Sequence, residues 1–337
     1  MADNEAHRAR LLEKIRRDCG QTLLAALDDP TVVEVMRNPD GRIWIDVAGE
    51  GLKDTGHVMP AAQAESLLSV CATILNTELT RESPVLEGEF PLDKSRLEGL
   101  VYPVVQEPTF AIRKKARSVF TLGQYVASGI MSPTYADEIR TAVTSKRNIL
   151  IVGGTGSGKT TLANGVIAAI AELCPTDRIV AIEDTMELQV PVENNVLLRS
   201  SEHVSMARLL RATMRLRPDR ILVGETRGAE AYTLMKAWNS GHPGGIATIH
   251  ADSAALGLRK LGQYAFEDPA AHAFKAEMMA DIVVDAVHVV VFIEKKTSAR
   301  AGRVVSDVCR VVGHQGGVYQ LAPIQSPFHH QESSNAA

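Results

Sequence analysis

No two of the four cysteines, Cys19, Cys71, Cys174 and Cys309, form a Cys-x-x-Cys pair. Cysteines scattered in this way argue against a zinc ribbon or a disulfide framework and fit a reducing compartment. No apolar run approaches the ~20 residues that a membrane span requires. The longest candidate, Ala286 to Ile293, contains His288 and reads as a buried strand. The opening residues Met1 to Arg8 lack the apolar stretch of a secretory signal. A cytoplasmic protein, soluble or peripheral to a membrane, is therefore expected. A global basic charge is missing too. The formal net charge is −4, which disfavours a dedicated duplex-DNA binder. A local basic patch, and with it contact with nucleic acid, stays open.

The chain is 337 residues long and 45% hydrophobic, enough for two packed domains. Its centre is the stretch Asn148 to Thr161. Ile149 to Val152 is an apolar run of the length a buried strand needs. Next come Gly153, Gly154, Thr155, Gly156, Ser157, Gly158, Lys159, Thr160 and Thr161, and then a helix-compatible run to Ala171. A glycine, four spacers and Gly-Lys-Thr is the phosphate-cradling pattern. Its glycines let backbone N–H groups turn towards phosphate oxygens, and the helix behind adds positive potential. Lys159 is placed to reach the outer phosphates of ATP, and Thr160 to put its hydroxyl on Mg2+. The bland reading, a glycine-rich turn that contains a lysine, does not explain the strand before and the helix after.

The amino-terminal part reads as an α+β domain. Ala6 to Leu27 has apolar residues at helical spacing, ended by Pro30. Docking on its own domain is the commoner use of such a helix, although a membrane surface would also accept it. Val32 to Met36 and Arg42 to Val47 are expected strands joined by the turn Asn38-Pro39-Asp40-Gly41. A helix follows from Pro60 to Leu75. Strands are expected around Arg96 to Val104 and Thr109 to Arg113, before the basic cluster Arg113, Lys114, Lys115, Arg117. Taken alone, that cluster is a solvated face or a linker.

After two helices between Phe120 and Lys146, strands and helices alternate up to Phe266. Such alternation implies a largely parallel sheet with helices on both faces and ligands at the carboxyl ends of its strands. Asp285 to Pro323 reads as antiparallel strands, and Gln325 to Ala337 as a short, polar, disordered tail. The tail's His329-His330 pair is a weak metal signal.

Two strand ends carry acids. Ile179 to Asp184 ends in Glu183 and Asp184, and Ile221 to Glu225 ends in Glu225. One such end would be an ordinary solvent-facing terminus. Two in the sheet of a phosphate loop suit a nucleotide hydrolase, which needs acids to hold Mg2+ and to orient water. Gly224 stands where a second nucleotide motif usually has an aspartate. Mg2+ would then rely on Thr160, phosphates, waters and Glu183 or Asp184, leaving Glu225 freer to polarise water. The loop Gly241 to Gly245 leads into a strand ending at His250. A histidine there is usually structural, but it could also donate to a γ-phosphate oxygen.

Together these motifs resemble the secretion ATPase superfamily, which powers type II and type IV secretion and type IV pili. The phosphate loop matches, as do the aspartate box Ala181 to Glu187, the Walker B-like segment Pro218 to Glu230 and the histidine box Gly241 to His250. The stretch Ala26 to Trp44 is similar to that of conjugative-transfer ATPases of the type IV secretion branch. There is no tetracysteine zinc element, and Thr185-Met186 stands where pilus motors usually have Pro-Ile; both favour that branch.

The resemblance implies a RecA-like ATPase domain, residues 119–325, after a smaller α+β, PAS-like domain, residues 1–118. It also implies a homohexameric ring at the cytoplasmic face of the inner membrane, working with inner-membrane components of a secretion apparatus. ATP and Mg2+ are the implied ligands. Glu225 would be the water-polarising base with Glu183 assisting, Asp184 would act on Mg2+ through water, and His250 would sit by the γ-phosphate. Arg113 matches an arginine that reaches the phosphates, and Arg96 matches another less closely.

Overall fold

The computed structural model describes residues 2–48, 50–115, 119–201, 203–299 and 301–325. Residues 326–337, with the His329-His330 pair, lie outside them. The chain divides into two compact units, Met1–Arg117 and Ser118–Ala337.

In the first unit the elements run α1 (Ala2–Asp28), β1 (Val32–Arg37), β2 (Arg42–Val47), β3 (Gly51–Val58), α2 (Ala61–Leu75), β4 (Val85–Glu89), β5 (Arg96–Leu100) and β6 (Thr109–Arg113). The strands form one antiparallel sheet in the order β3-β2-β1-β6-β5-β4. The first helix is interrupted at Gly20, whose φ of 67° and ψ of 174° are not helical. On either side of that break it buries Ile15, Cys19, Leu23 and Leu27 in one core with Leu67, Leu68 and Cys71 of α2 and with Val35, Leu97 and Ile112 of the sheet. That places α1 in its own domain's core. Two strands escape sequence reading, and both lie at sheet edges. β3 carries two glycines and is mostly exposed, so it lacks the buried alternation that marks a strand.

The second unit contains α3 (Leu122–Ala127), α4 (Pro133–Thr144), β7 (Ile149–Gly153), α5 (Lys159–Leu173), β8 (Ile179–Glu183), β9 (Asn195–Arg199), α6 (Met206–Thr213), β10 (Arg220–Val223), α7 (Glu230–Asn239), β11 (Ile246–His250), α8 (Ala254–Ala265), α9 (Ala276–Ala286), β12 (Val289–Lys295), β13 (Arg303–Gln315) and β14 (Val318–Pro323). Eight strands form one sheet in the order β14-β13-β12-β7-β11-β10-β8-β9. The strands from β12 to β9 are parallel, and β13 and β14 are antiparallel. This corrects the expectation that everything after Asp285 is antiparallel. Met279, Val283 and Ala286 are buried at helical spacing in α9, which supplies the crossover a parallel β12 needs.

Side-chain alternation along β7 serves both faces of the sheet. Ile149 and Ile151 pack with α3, α4 and α5, whereas Leu150 and Val152 pack with α7, α8 and α9. At the foot of β7, the fully buried Asn148 joins its neighbours. Its Oδ1 accepts from Gly245 N at 2.9 Å, and its Nδ2 donates to Ala286 O at 2.7 Å. Arg220, 1% exposed at the start of β10, joins more distant parts. Its guanidinium donates to Asp177 Oδ2 at 2.6 Å, Gly244 O at 3.1 Å and Val143 O at 2.9 Å.

Without Arg220, the mostly buried Asp177 would keep only the partly exposed Lys146, 3.3 Å away, as a partner, and losing the main partner of a buried charge is costly. Arg220→Met should therefore destabilise the protein by about 3 kcal/mol, and adding Asp177→Asn should recover part of the loss. Denaturant titration of the three variants tests this, and a change below about 0.5 kcal/mol for Arg220→Met, the range of an ordinary surface substitution, would contradict it.

Candidate functional site

The phosphate-cradling sequence lies at the carboxyl end of β7, between β11 and β12. Ile149 to Gly153 are all buried, and the chain then turns back on itself. An added Cβ on Gly153 would meet the Ile293 carbonyl oxygen at 2.3 Å and Ser157 Oγ at 2.5 Å, so only glycine fits. Gly156 (φ 67°) and Gly158 (φ 102°) adopt the left-handed backbone that the loop needs. Gly158 caps α5, whose first turn carries Lys159, Thr160 and Thr161. Lys159 Nζ donates to the Gly154 carbonyl at 3.1 Å, which holds the ammonium over the loop. Thr155 and Gly156 are exposed, while Ser157 is buried.

The acids and the histidine arrive from adjacent strands. His250 is in register with Gly153 across β11 and β7, and its Nδ1 lies 3.4 Å from Thr155 Oγ1. Glu183, at the end of β8, is 2% exposed. Its Oε1 accepts from Glu187 N at 3.0 Å and Leu188 N at 2.9 Å, pinning the loop that follows. Gly224 now has a reason. A Cβ there would lie 2.8 Å from Glu183 Cγ and 2.9 Å from its Oε1, so glycine leaves room for the neighbouring carboxyl. Burial raises the Glu183 pKa from 4.5 to about 7; the two backbone donors oppose the rise, and Glu187 and Asp184 add to it.

One side chain at this edge escaped sequence reading. Arg227 Nε donates to Glu225 Oε2 at 2.9 Å, and its Nη1 donates to Asp184 Oδ2 at 2.7 Å. A single guanidinium thus ties together the acids at the ends of β8 and β10. Burial alone would lower its pKa, but Glu225 and Asp184 outweigh that and raise it. Glu230 Oε1 accepts from the backbone N of Arg227 at 2.6 Å and fixes its position. The available signal was an arginine two residues after the candidate base.

Within the second unit, residues 153–161, Glu183, Asp184, Glu225 and His250 lie along one edge of one sheet. Arg96 and Arg113 belong to the first unit. There they stand directly opposite each other on β5 and β6, with Glu89 opposite Arg96 and Glu34 opposite Arg113. Like charges so paired are unfavourable unless flanked by opposite ones. The rest of the basic cluster is tied down locally. Lys114 Nζ donates to Ala26 O at 3.1 Å, and Lys115 Nζ to Glu89 Oε1 at 3.2 Å. Arg117 lies outside the described residues.

Three buried polar atoms at this edge, Ser157 Oγ, Glu183 Oε2 and Thr226 Oγ1, have no hydrogen-bond partner among the described residues. Orphaned atoms of this kind suit a site that engages a polar ligand and water. No three His, Cys, Asp or Glu side chains converge as a metal cluster among the described residues. A cation at this edge would therefore rest on few protein ligands, as Mg2+ does when it keeps its waters and binds phosphate oxygens.

The family model described as "Type II/IV secretion system protein" matches residues 20–319. The conjugal transfer protein TrbB of Rhizobium radiobacter is 46% identical over 311 residues, which cover 92% of this chain and 93% of that protein. The protein VirB11 of Agrobacterium fabrum is 30% identical over 305 residues, covering 80% and 86% respectively. The crystal structure of the VirB11 ATPase from the Brucella suis type IV secretion system, in complex with sulphate, is 27% identical. It matches with a TM-score of 0.50 and covers 90% of this chain and 96% of that one.

A carboxyl whose pKa is raised on folding binds its proton more tightly in the folded state, so stability falls as pH rises through the interval. For Glu183 the interval runs from 4.5 to about 7, and the loss should be on the order of 3 kcal/mol. Glu183→Gln keeps an acceptor for both backbone donors and should flatten this part of the profile. Denaturation midpoints between pH 4 and 8.5 test it, and parallel wild-type and variant profiles would contradict the assignment.

Proposed function

The chain belongs to the type II/IV secretion system protein family, and from that premise we propose that it is a hexameric traffic ATPase serving conjugative type IV secretion. Its reaction is the hydrolysis of ATP to ADP and phosphate. The observation that carries the reading is the phosphate loop at a carboxyl sheet edge, with Glu183, Glu225 and His250 at neighbouring strand ends. The 46% identity to a conjugal transfer protein over nearly its whole length supports the conjugative branch.

In this reading the N–H groups of residues 154–160 cradle the phosphates, and Lys159 leaves the Gly154 carbonyl to bind the outer ones. Mg2+ supplies neutralising charge across the phosphates when bound, and the Thr160 hydroxyl and, through water, Asp184 would hold it. Glu225 orients the attacking water and takes its proton. The contact between Arg227 and Glu225 holds that carboxylate in place. Glu183 holds the adjoining loop and presents Oε2 to the site, and His250 stands beside Thr155 to sense the terminal phosphate. Assembly would be a ring of identical copies at the cytoplasmic face of the inner membrane, in contact with inner-membrane components of the apparatus. No helix among the described residues is long and apolar enough to cross a membrane, which is compatible with peripheral attachment.

Lys159→Ala should abolish phosphate release and fail to restore conjugation to a strain deleted for the gene. Glu225→Gln should bind ATP normally but turn it over roughly 100-fold more slowly or worse. Wild-type phosphate release by Lys159→Ala would overturn the ATPase reading. Wild-type release by Glu225→Gln would overturn only the assignment of the base. Sedimentation of the purified protein should give the mass of six chains.

A further inference from the structure

The phosphate loop has two flanks, and only one carries the candidate hydrolytic groups. Sheet order places β11, β10 and β8 on one side of β7, and β12 and β13 on the other. On that second side two cations approach the loop. An ideal Cβ on Gly156 would stand 2.9 Å from Lys295 Nζ, and one on Gly158 would stand 2.9 Å from Arg303 Nη1. Lys295 ends β12, Arg303 begins β13, and the two are directly opposed in register.

Opposed like charges on neighbouring strands are destabilising. In the first unit, the opposed pair Arg96 and Arg113 has Glu89 and Glu34 on either side. Lys295 and Arg303 have no such relief: neither makes an ion pair with a carboxylate among the described residues. Their neighbour Glu294 is opposite Val304, one residue along in each strand, and so points to the other face of the sheet. Both cations also lie beside the amino terminus of α5, a 15-residue helix whose positive end disfavours further positive charge. Lys295 is exposed, and Arg303 is half-buried. Two cations and a helix amino terminus converge on one backbone loop, and an anion is what would make that arrangement favourable.

We infer that Lys295 and Arg303 form a second phosphate-binding wall, which grips the α- and β-phosphates of the nucleotide from the side opposite the hydrolytic acids. The inference rests on the ATPase reading. The γ-phosphate must face Glu225 and His250, so the flank of the loop facing β12 and β13 is left with the phosphates next to the ribose. The pair then contributes to the affinity for ATP and ADP alike and adds little to the bond-breaking step, because its interactions do not grow in the transition state.

The test measures ADP binding by the full-length protein, through displacement of a fluorescent ADP analogue, together with steady-state ATP hydrolysis. Lys295→Gln and Arg303→Gln should each weaken ADP roughly 5- to 10-fold. Each should raise KM for ATP to a similar extent and leave kcat within about twofold. Lys295→Arg and Arg303→Lys should restore most of the affinity, which a purely structural role would not predict. Without nucleotide, the melting temperatures of the Gln variants should not fall, since each removes one of two opposed cations. ADP affinity within twofold of wild type in both Gln variants would overturn the inference, as would a loss confined to kcat. Failure of the wild-type protein itself to bind ADP or ATP would instead overturn the function on which the inference rests.

Discussion

Where β7 leaves the sheet at Gly153, a Cβ would stand 2.3 Å from the Ile293 carbonyl oxygen, so the chain can fold back only because that position has no side chain. This close approach of backbone to backbone governs the rest of the second unit. It sets the loop against β12, which pairs with β7 in parallel and lies close to it. It buries Ser157 beneath the turn, and it directs the chain into α5 at Lys159. The parallel β12 then requires a crossover helix, and α9 is that helix. The same sequence with an alanine at position 153 would have to open the β7–β12 seam or abandon the turn.

Electrostatics at the two flanks follow from which strands lie beside β7. On the β11 side, acids crowd together and are reconciled inside the chain. Burial pushes Glu183 towards neutrality, and Arg227 bridges Asp184 and Glu225. Gly224 provides the space without which Glu183 could not be buried there. On the β12 side, Lys295 and Arg303 face each other and the helix terminus. One edge of one sheet therefore presents a compensated acidic flank and an uncompensated basic one.

Much of this was legible in the sequence because it depends on local pattern. Glycine spacing located the phosphate loop, and the apolar runs located β7, β8, β10 and β11 to within a residue or two. The strand ends at Glu183, Glu225 and His250 followed from those runs. What was not legible depends on distance in the fold rather than in the chain. β3, β4 and β9 lie at or near sheet edges, where solvent exposure removes the buried pattern that marks a strand. The direction of β12 depended on whether Met279 to Ala286 formed a helix, and polar neighbours obscured that run. Arg227 lies in the Walker B-like segment, but nothing near it in sequence shows that the fold brings Asp184 to it, 43 residues away. Arg37 escaped for the same reason. Its buried guanidinium is satisfied by the carbonyls of Met59, Asn38 and Pro108, and nothing near it in sequence marks it as interior.

The difference between the flanks bears on how nucleotide binding and hydrolysis are divided in this chain. Groups already satisfied within the protein gain little from a ligand in its ground state, so the Arg227 cluster is suited to reorganising as charge moves during reaction. Groups that are mutually repulsive in the protein alone gain at once when an anion arrives, so Lys295 and Arg303 are suited to binding. Both flanks act on the same few residues of loop, but from opposite sides of β7 and through different strands. At Gly153 the backbone leaves no room for a side chain, so the two flanks meet at a loop that only glycine can form there.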